Sequence, residues 1–102
     1  MTRIGSRNLI MAYVHVAHDC QIGDDNIFAN NATLAGHVHV AHDVIFAGFS
    51  GAHQFCQIGP YAMLGMGALT GKDVPAFMMV TGNPARPAGM NFEGMRRRNF
   101  SK

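Results

Sequence analysis

Residues 14–20 read V-H-V-A-H-D-C and hold two separate regularities. Val14, Val16 and Cys20 occupy positions at which a β-strand would turn its side chains toward a core. The same seven residues carry two imidazoles and a carboxylate, which the alternation of apolar residues does not explain. The first pattern decides the fold, and the second indicates chemistry.

The apolar positions belong to a six-residue repeat that runs through most of the chain. The first position of each hexad is apolar in eleven of twelve cases: Ile4, Ile10, Val16, Ile22, Phe28, Leu34, Val40, Phe46, Ala52, Ile58, Leu64 and Thr70. The second position is Gly or Ala in ten of the twelve hexads, and the fifth is always small or medium-sized. Three columns that agree without an insertion make this repeat specific.

A period of six predicts a parallel β-helix in which each hexad forms one side of a triangular coil. Three hexads, or 18 residues, complete a coil, so residues 4–75 should form four coils about 4.8 Å apart. The first and fifth columns would fill the interior, and the Gly and Ala of the second column suit tight corners. Hexads of this kind are typical of left-handed β-helices. We therefore predict a left-handed coil from this resemblance and not from the period itself. The predicted class is therefore all-β.

The hexad register fails after Pro75. Residues 82–87 read G-N-P-A-R-P, which predicts a loop. Residues 91–102 resemble the start of an Arg-rich helix. We therefore assign residues 1–75 to the β-helix and residues 76–102 to a loop and the start of a helical domain. Both ends of a four-coil stack would be uncapped, so we expect this chain to be a segment of a longer protein and poorly active alone.

Composition and charge limit the class of protein. With 48% hydrophobic and 14% charged residues, the 102-residue chain can fold as one small domain. It has no apolar run long enough to cross a bilayer and no signal peptide, so we expect a cytoplasmic protein without membrane insertion. Cys20 and Cys56 fall two coils apart in the interior column, too far for a disulfide. Five basic residues after residue 85 would suit phosphates, a nucleic acid or an acidic protein, or would merely form a solvated face.

Three histidines, His18, His37 and His53, fall on one wall of successive coils, and Lys72 extends the series. Their hexad positions lie outside the interior columns, so the side chains should face outward. Surface histidines on a strand would need no function. A neutral imidazole, however, can act as a general base, for example on the hydroxyl that attacks in acyl transfer. Three imidazoles can also bind zinc, and the His37 to His42 spacing resembles gamma-class carbonic anhydrases, although these two residues lie on adjacent walls.

Four segments in order resemble the UDP-N-acetylglucosamine O-acyltransferase family. They are M-A-Y-V-H-V-A-H-D-C at residues 11–20, A-N-N-A-T-L-A-G-H-V at 29–38, A-H-Q-F-C-Q-I-G at 52–59 and N-F-E-G-M-R-R-R-N-F at 91–100. The resemblance implies a homotrimer that transfers a (R)-3-hydroxyacyl group from acyl carrier protein to the 3-hydroxyl of UDP-N-acetylglucosamine, the first step of lipid A biosynthesis. It implies no cofactor, no metal and no nucleic acid.

The resemblance also assigns roles residue by residue. His18 matches the general base, and the backbone N–H of Gly36 matches an oxyanion donor. The residues that match substrate-binding positions are His15, His37, His53, Gln54, Asn91, Glu93, Arg97 and Arg98. Arg96 and its basic neighbours would attract the acidic acyl carrier protein.

The chain also departs from the family pattern. The family's Asp and Lys that precede the base are absent here, and Asp19, if it lay on a strand, would point away from His18. Pro84 replaces a family histidine. Met66 replaces a glycine, which should shorten the acyl channel and favour shorter acyl chains. Three alternatives stay open: an acyltransferase acting on another acceptor such as an amino sugar, a zinc lyase, and a binding or trimerisation module.

Overall fold

The computed structural model describes residues 1–90, which form strands and turns without a helix. The strands are β1 Arg3–Ile4, β2 Leu9–Ile10, β3 His15–Val16, β4 Gln21–Ile22, β5 Ile27–Phe28, β6 Thr33–Leu34, β7 His39–Val40, β8 Ile45–Phe46, β9 Gly51–Ala52, β10 Gln57–Ile58, β11 Met63–Leu64, β12 Leu69–Thr70, β13 Met78–Thr81 and β14 Arg86–Met90. The first twelve are two-residue strands, one for each hexad. No helix that could span a membrane occurs among residues 1–90.

Three parallel sheets form the walls of a prism. The first wall consists of β1, β4, β7 and β10, the second begins with β2, β5, β8 and β11, and the third consists of β3, β6, β9 and β12. Within the four coils each strand residue pairs with the residue 18 positions away in the next coil, as His15 does with Thr33. This register confirms the predicted parallel β-helix and its 18-residue coil.

The core consists of the first and fifth hexad columns, as predicted. First-column residues from Ile22 onward are buried, and Phe28 stacks on Phe46 with ring centroids 4.9 Å apart. Cys20 and Cys56 are both buried and both free thiols. Burial of a column of large apolar side chains supplies the main favourable free energy of such a fold.

The corners differ from the prediction, which gave them to the Gly and Ala column. Between residues 4 and 70, the residues with positive φ are those of the fourth column, among them Asp19 (φ 59°) and His37 (φ 61°). The second column is small for another reason: an added Cβ at Gly23 would lie 2.2 Å from the Ala41 carbonyl oxygen of the next coil. Close stacking of coils excludes larger side chains there, and the fourth column makes the turns.

The predicted loop after Pro75 contains regular structure instead. Val74 bridges Ile58 and Met79 pairs with Met63, so the spacing between coils falls from 18 to 16 residues after Thr70. This shift moves Val74 from the fifth column into the strand position beside Ile58. Strand β13 thereby extends the second wall, and β14 pairs with it in an antiparallel hairpin. The predicted helix at 91–102 lies outside the described residues.

Candidate active site

The third corner is the place where the chain passes from the third wall to the first, at residues 17–20, 35–38 and 53–56. It brings together His18 and Asp19 from one coil and His37 from the next. The Nδ1 atom of His18 lies 3.0 Å from Asp19 Oδ2, and the Nε2 atom of His37 lies 3.8 Å from the same oxygen. The two imidazole rings meet edge to face with centroids 5.1 Å apart.

The position of Asp19 corrects the expectation that it would point away from His18. That expectation assumed a strand, in which neighbouring side chains alternate between faces. Residues 18 and 19 form a turn instead, and the positive φ of Asp19 directs its carboxylate to the same side as the imidazole. A carboxylate that can orient His18 is therefore present in this chain.

The carboxyl group of Asp19 is held in its ionised form. The α-ammonium group of Met1 contacts Asp19 Oδ1, and His18 contacts Oδ2. Hydrogen bonding from the Met1 α-ammonium, then from His18, together with the positive charge of the α-ammonium, lowers the pKa of Asp19 to about 2. Oδ2 remains the oxygen that both imidazoles face.

Gly36 occupies the position one coil above His18 and leaves room for its ring. A Cβ atom built on Gly36 would lie 2.7 Å from His18 Cε1 and Nε2, closer than side chains pack. No group among residues 1–90 accepts a hydrogen bond from the Gly36 N–H. The glycine therefore combines close approach to the imidazole with a backbone donor that has no partner in this part of the chain.

Phe55 is a contact that the sequence interpretation missed. Its ring stacks on His37 with centroids 4.7 Å apart and an interplanar angle of 10°. Phe55 follows His37 by 18 residues, so the coil length alone could have identified it. The stack fixes the plane of the His37 ring.

Of the other predicted site residues among residues 1–90, two lie on the third corner and two lie elsewhere. His53 and Gln54 are exposed on the third corner, in the coil that follows Gly36 and His37. His15 is exposed on β3 of the third wall. His53 lines a groove of about 240 Å³ on the third wall. Met66 is 79% exposed on the corner between the second and third walls, and residues 11–14, 29–32, 47–50 and 65–68 of that corner include no histidine. The four predicted residues Asn91, Glu93, Arg97 and Arg98 lie outside the described residues.

A second His–Asp pair occurs at the first corner, where the chain passes from the first wall to the second. His42 Nδ1 lies 2.9 Å from Asp43 Oδ2. His42 meets the ring of Tyr61 edge to face, and Tyr61 stacks on Phe77. His37 and His42 thus belong to different corners, so they are not placed to share one ion.

Two family models match the chain. Residues 1–36 match the bacterial transferase hexapeptide (six repeats) and residues 73–102 match domain 2 of UDP-N-acetylglucosamine O-acyltransferase. These models cover the beginning of the β-helix and the end of the chain, respectively.

Curated relatives agree with the second model. The chain is 55% identical to the acyl-[acyl-carrier-protein]–UDP-N-acetylglucosamine O-acyltransferase of Thiobacillus denitrificans, over 99% of this chain and 39% of that protein. It is 58% identical to the Stenotrophomonas maltophilia protein of the same name, over 98% of this chain and 38% of that protein. The chain thus spans about two fifths of the length of the curated relatives it matches.

A solved structure leads to the same family. The crystal structure of UDP-N-acetylglucosamine O-acyltransferase from Moraxella catarrhalis superposes with a TM-score of 0.95 at 54% identity, covering 100% of this chain and 40% of that one. The sequence comparisons over 98–99% of the chain, the superposed fold and the family models at residues 1–36 and 73–102 agree, and the chain belongs to the UDP-N-acetylglucosamine O-acyltransferase family.

Proposed function

We propose that this chain carries the catalytic corner of an enzyme that transfers a (R)-3-hydroxyacyl group from acyl carrier protein to the 3-hydroxyl of UDP-N-acetylglucosamine, the first step of lipid A biosynthesis. The observation that carries the proposal is the third corner, where His18 contacts Asp19 beneath Gly36, whose N–H has no acceptor among residues 1–90. The relatives' names supply the donor and the acceptor.

His18 acts as the general base. Asp19 accepts a hydrogen bond from His18 Nδ1–H, which leaves the lone pair of Nε2 available for a proton. Nε2 takes the proton of the sugar 3-hydroxyl while that oxygen attacks the thioester carbonyl carbon. Because its pKa is lowered to about 2, Asp19 stays anionic and stabilises the imidazolium as it forms.

Gly36 stabilises the oxyanion. As the carbonyl oxygen takes on negative charge, the Gly36 N–H donates a hydrogen bond to it. Collapse of the tetrahedral intermediate breaks the carbon–sulfur bond, and the imidazolium returns its proton to the departing thiolate. His18 is then neutral again, and the acyl group is an ester on the sugar.

Neighbouring side chains bind the substrates. His37, whose ring meets that of His18, and His15, His53 and Gln54, which are exposed, offer hydrogen bonds to the sugar nucleotide and the acyl group. Asn91, Glu93, Arg97 and Arg98 bind the nucleotide, where the guanidinium forks suit its phosphates. Met66 limits the length of the acyl chain and favours shorter chains. The basic residues after residue 85 attract acyl carrier protein in the cytoplasm.

A homotrimer would complete these sites. The outward face of the second wall is an apolar ladder in consecutive coils: Leu9, Ile27, Ile45, Met63 and Met79. Leu9 is 54% exposed in the single chain. Packing of such a ladder against a second copy removes apolar surface from water. A monomer in sedimentation velocity would contradict this arrangement.

An acceptor assay tests the function. Purified protein is incubated with (R)-3-hydroxyacyl-acyl carrier proteins of several chain lengths and either UDP-N-acetylglucosamine or its 3-amino analogue, and the products are separated by mass. We expect O-acylation of the first acceptor with the shorter donors. Use of the amino sugar alone would instead favour an N-acyltransferase. Because the chain spans part of its relatives' length, the assay is run both on this chain and on the chain joined to a relative's flanking segments.

The zinc lyase alternative is separated by chelation. A lyase of that kind requires its metal, whereas acyl transfer by His18 proceeds in metal-free protein. Carbon dioxide hydration that disappears on chelation would overturn the proposed function. Acyl transfer that is unchanged by the His18→Ala substitution would overturn the role of His18 as the base. Absence of acyl transfer even in the chain joined to a relative's flanking segments would favour a binding or trimerisation module.

A further inference from the structure

The third corner holds three potential metal ligands from two successive coils. One donor atom each from His18, Asp19 and His37 lies within 4.8 Å of the other two. The closest pairs are His18 Nδ1 to Asp19 Oδ2 at 3.0 Å and His37 Nε2 to the same oxygen at 3.8 Å. Donor atoms of one tetrahedral zinc ion, with bonds of about 2.0 Å, lie about 3.3 Å apart. Small side-chain rotations therefore bring all three onto one ion.

The ligands are accessible and partly fixed in direction. The side chains of His18, Asp19 and His37 are 71%, 39% and 41% exposed, so an ion can reach them from solvent. The Phe55 ring holds the His37 ring by stacking, and Gly36 presents no side chain to the His18 ring. The Met1 α-ammonium contacts Oδ1 of Asp19, which leaves Oδ2 to the imidazoles and the ion.

We propose that His18, Asp19 and His37 form a reversible binding site for a divalent transition metal such as Zn²⁺, and that the bound ion switches the proposed base off. Two imidazoles and a carboxylate suit Zn²⁺ and Co²⁺, whereas Mg²⁺ prefers an all-oxygen site. The switch rests on the proposed function, but the binding of the metal does not.

The inhibitory step follows from the tautomers of one imidazole. Neutral His18 has one N–H and one lone pair, and Asp19 favours the proton on Nδ1. An ion at Nδ1 uses the lone pair of that atom, so the proton moves to Nε2. The nitrogen that would accept the sugar hydroxyl proton then carries a hydrogen itself. The ion also occupies Asp19 Oδ2, which removes the anion that stabilises the imidazolium.

The first corner supplies a matched control within the same molecule. His42 and Asp43 have the same His–Asp geometry, at 2.9 Å, but the next coil places the phenol ring of Tyr61 where the third corner has the imidazole of His37. Among residues 1–90, no third metal-ligating side chain lies close enough to His42 and Asp43 to form a group of three. A two-ligand site should bind such an ion much more weakly.

The experiment is a Co²⁺ titration of the purified full chain, followed by the visible absorption of four-coordinate cobalt. The variants are His18→Gln, His37→Asn and the control His42→Gln. Asparagine at residue 37 tolerates the positive φ of 61°, so this variant keeps the turn while removing the imidazole. Circular dichroism checks that each variant is folded. Zn²⁺ and Mg²⁺ are then tested as competitors.

We expect wild-type protein and the His42→Gln variant to bind Co²⁺ alike, and Zn²⁺ but not Mg²⁺ to displace it. His18→Gln and His37→Asn should weaken binding at least about 10-fold, since even outer-shell partners of metal ligands have effects of that size. Absence of a four-coordinate cobalt spectrum would overturn the site. Retention of full affinity in His37→Asn, or equal loss in His42→Gln, would overturn it as well.

Activity separates this inference from the function on which it rests. Acyl transfer by metal-free protein should fall on addition of Zn²⁺ and recover with a chelator. If Co²⁺ binds as expected but metal-free protein transfers no acyl group, the proposed function fails and the metal site stands. If acyl transfer proceeds but is insensitive to bound Zn²⁺, the switch is wrong.

Discussion

The first and third corners contain the same four residues and differ in what the next coil places above them. V-A-H-D occurs at residues 16–19 and again at residues 40–43. Both pairs have His Nδ1 within hydrogen-bond distance of the Asp carboxylate, at 3.0 Å and 2.9 Å. Local sequence therefore determines the pair, because the same turn in the fourth column recurs at each corner.

The coil above distinguishes the two corners. Gly36 and His37 lie in register above His18 and Asp19. Pro60 and Tyr61 lie in register above the other His–Asp pair, at the first corner. The Tyr61 ring and the stacked Phe77 cover that corner, and Asp43 is 13% exposed against 39% for Asp19. A glycine and an imidazole above the pair make an open polar site, and a proline and a phenol make a packed one.

Removal of each histidine should give the largest difference between the corners. His18→Ala should lower kcat by about 10²- to 10⁴-fold, the usual contribution of a general base. His42→Ala should leave kcat within about 2-fold, because that imidazole is assigned no catalytic role. Steady-state rates of acyl transfer measure both. Equal losses in the two variants would mean that the corners do not differ in function.

Addition of one methyl group should test the space above His18. Gly36→Ala places a Cβ 2.7 Å from the His18 ring, so the ring or the oxyanion donor must move. We expect a loss of about 10²- to 10³-fold in kcat, comparable to the loss of one oxyanion donor. Gly48→Ala is the control, since its Cβ would meet only the Asn30 oxygen, at 3.6 Å, in the same hexad position. A fully active Gly36→Ala enzyme would contradict the model of the site.

Neutralisation of the carboxylates should have a smaller effect. Asp19→Asn keeps a residue that tolerates positive φ but removes the charge, and should lower kcat by between about 10- and 10³-fold. Asp43→Asn should change kcat little. In a profile of kcat against pH, wild-type protein should show no titration of Asp19 above about pH 3, since its pKa is lowered to about 2.

The lowered pKa of Asp19 also predicts how stability depends on pH. The carboxyl group is more acidic in the folded than in the unfolded protein, so the stability it contributes is present above its ordinary pKa of 3.8 and disappears as pH falls through about 2. Thermal unfolding midpoints of wild-type and Asp19→Asn protein should therefore converge in strong acid. A difference that stays constant down to pH 2 would argue against the ionised contact.

The aromatic stack should give the smallest effect. Phe55→Ala removes the ring that orients His37 and should change KM or kcat by about 2- to 10-fold, the worth of an aromatic contact. Phe49→Ala is the control: it occupies the same hexad position and is similarly exposed, and no ring among residues 1–90 stacks on it. If both variants behave alike, the His37 orientation does not depend on Phe55.

The sequence by itself determined the repeat, the coil length and the core. A column such as Ile22, Val40 and Ile58 must be inside because burial of apolar side chains drives folding, and six-residue spacing fits one wall of a coil. Outward positions for His18, His37 and His53 followed from the same register. The 16-residue spacing after Thr70 and the β13–β14 hairpin did not, because the hexad register that gives the coil length fails after Pro75.

The resemblance had singled out His18, but only the tertiary structure decided how the two V-A-H-D corners differ. V-A-H-D is the same at both corners, and alternation along a strand wrongly turned Asp19 away from His18. The fourth-column residues adopt positive φ, which no apolar pattern reports, and this turn places the carboxylate beside the imidazole. The contacts that distinguish His18, namely those with Gly36 and His37, come from residues about one coil away. They exist because backbone hydrogen bonds stack the coils in register.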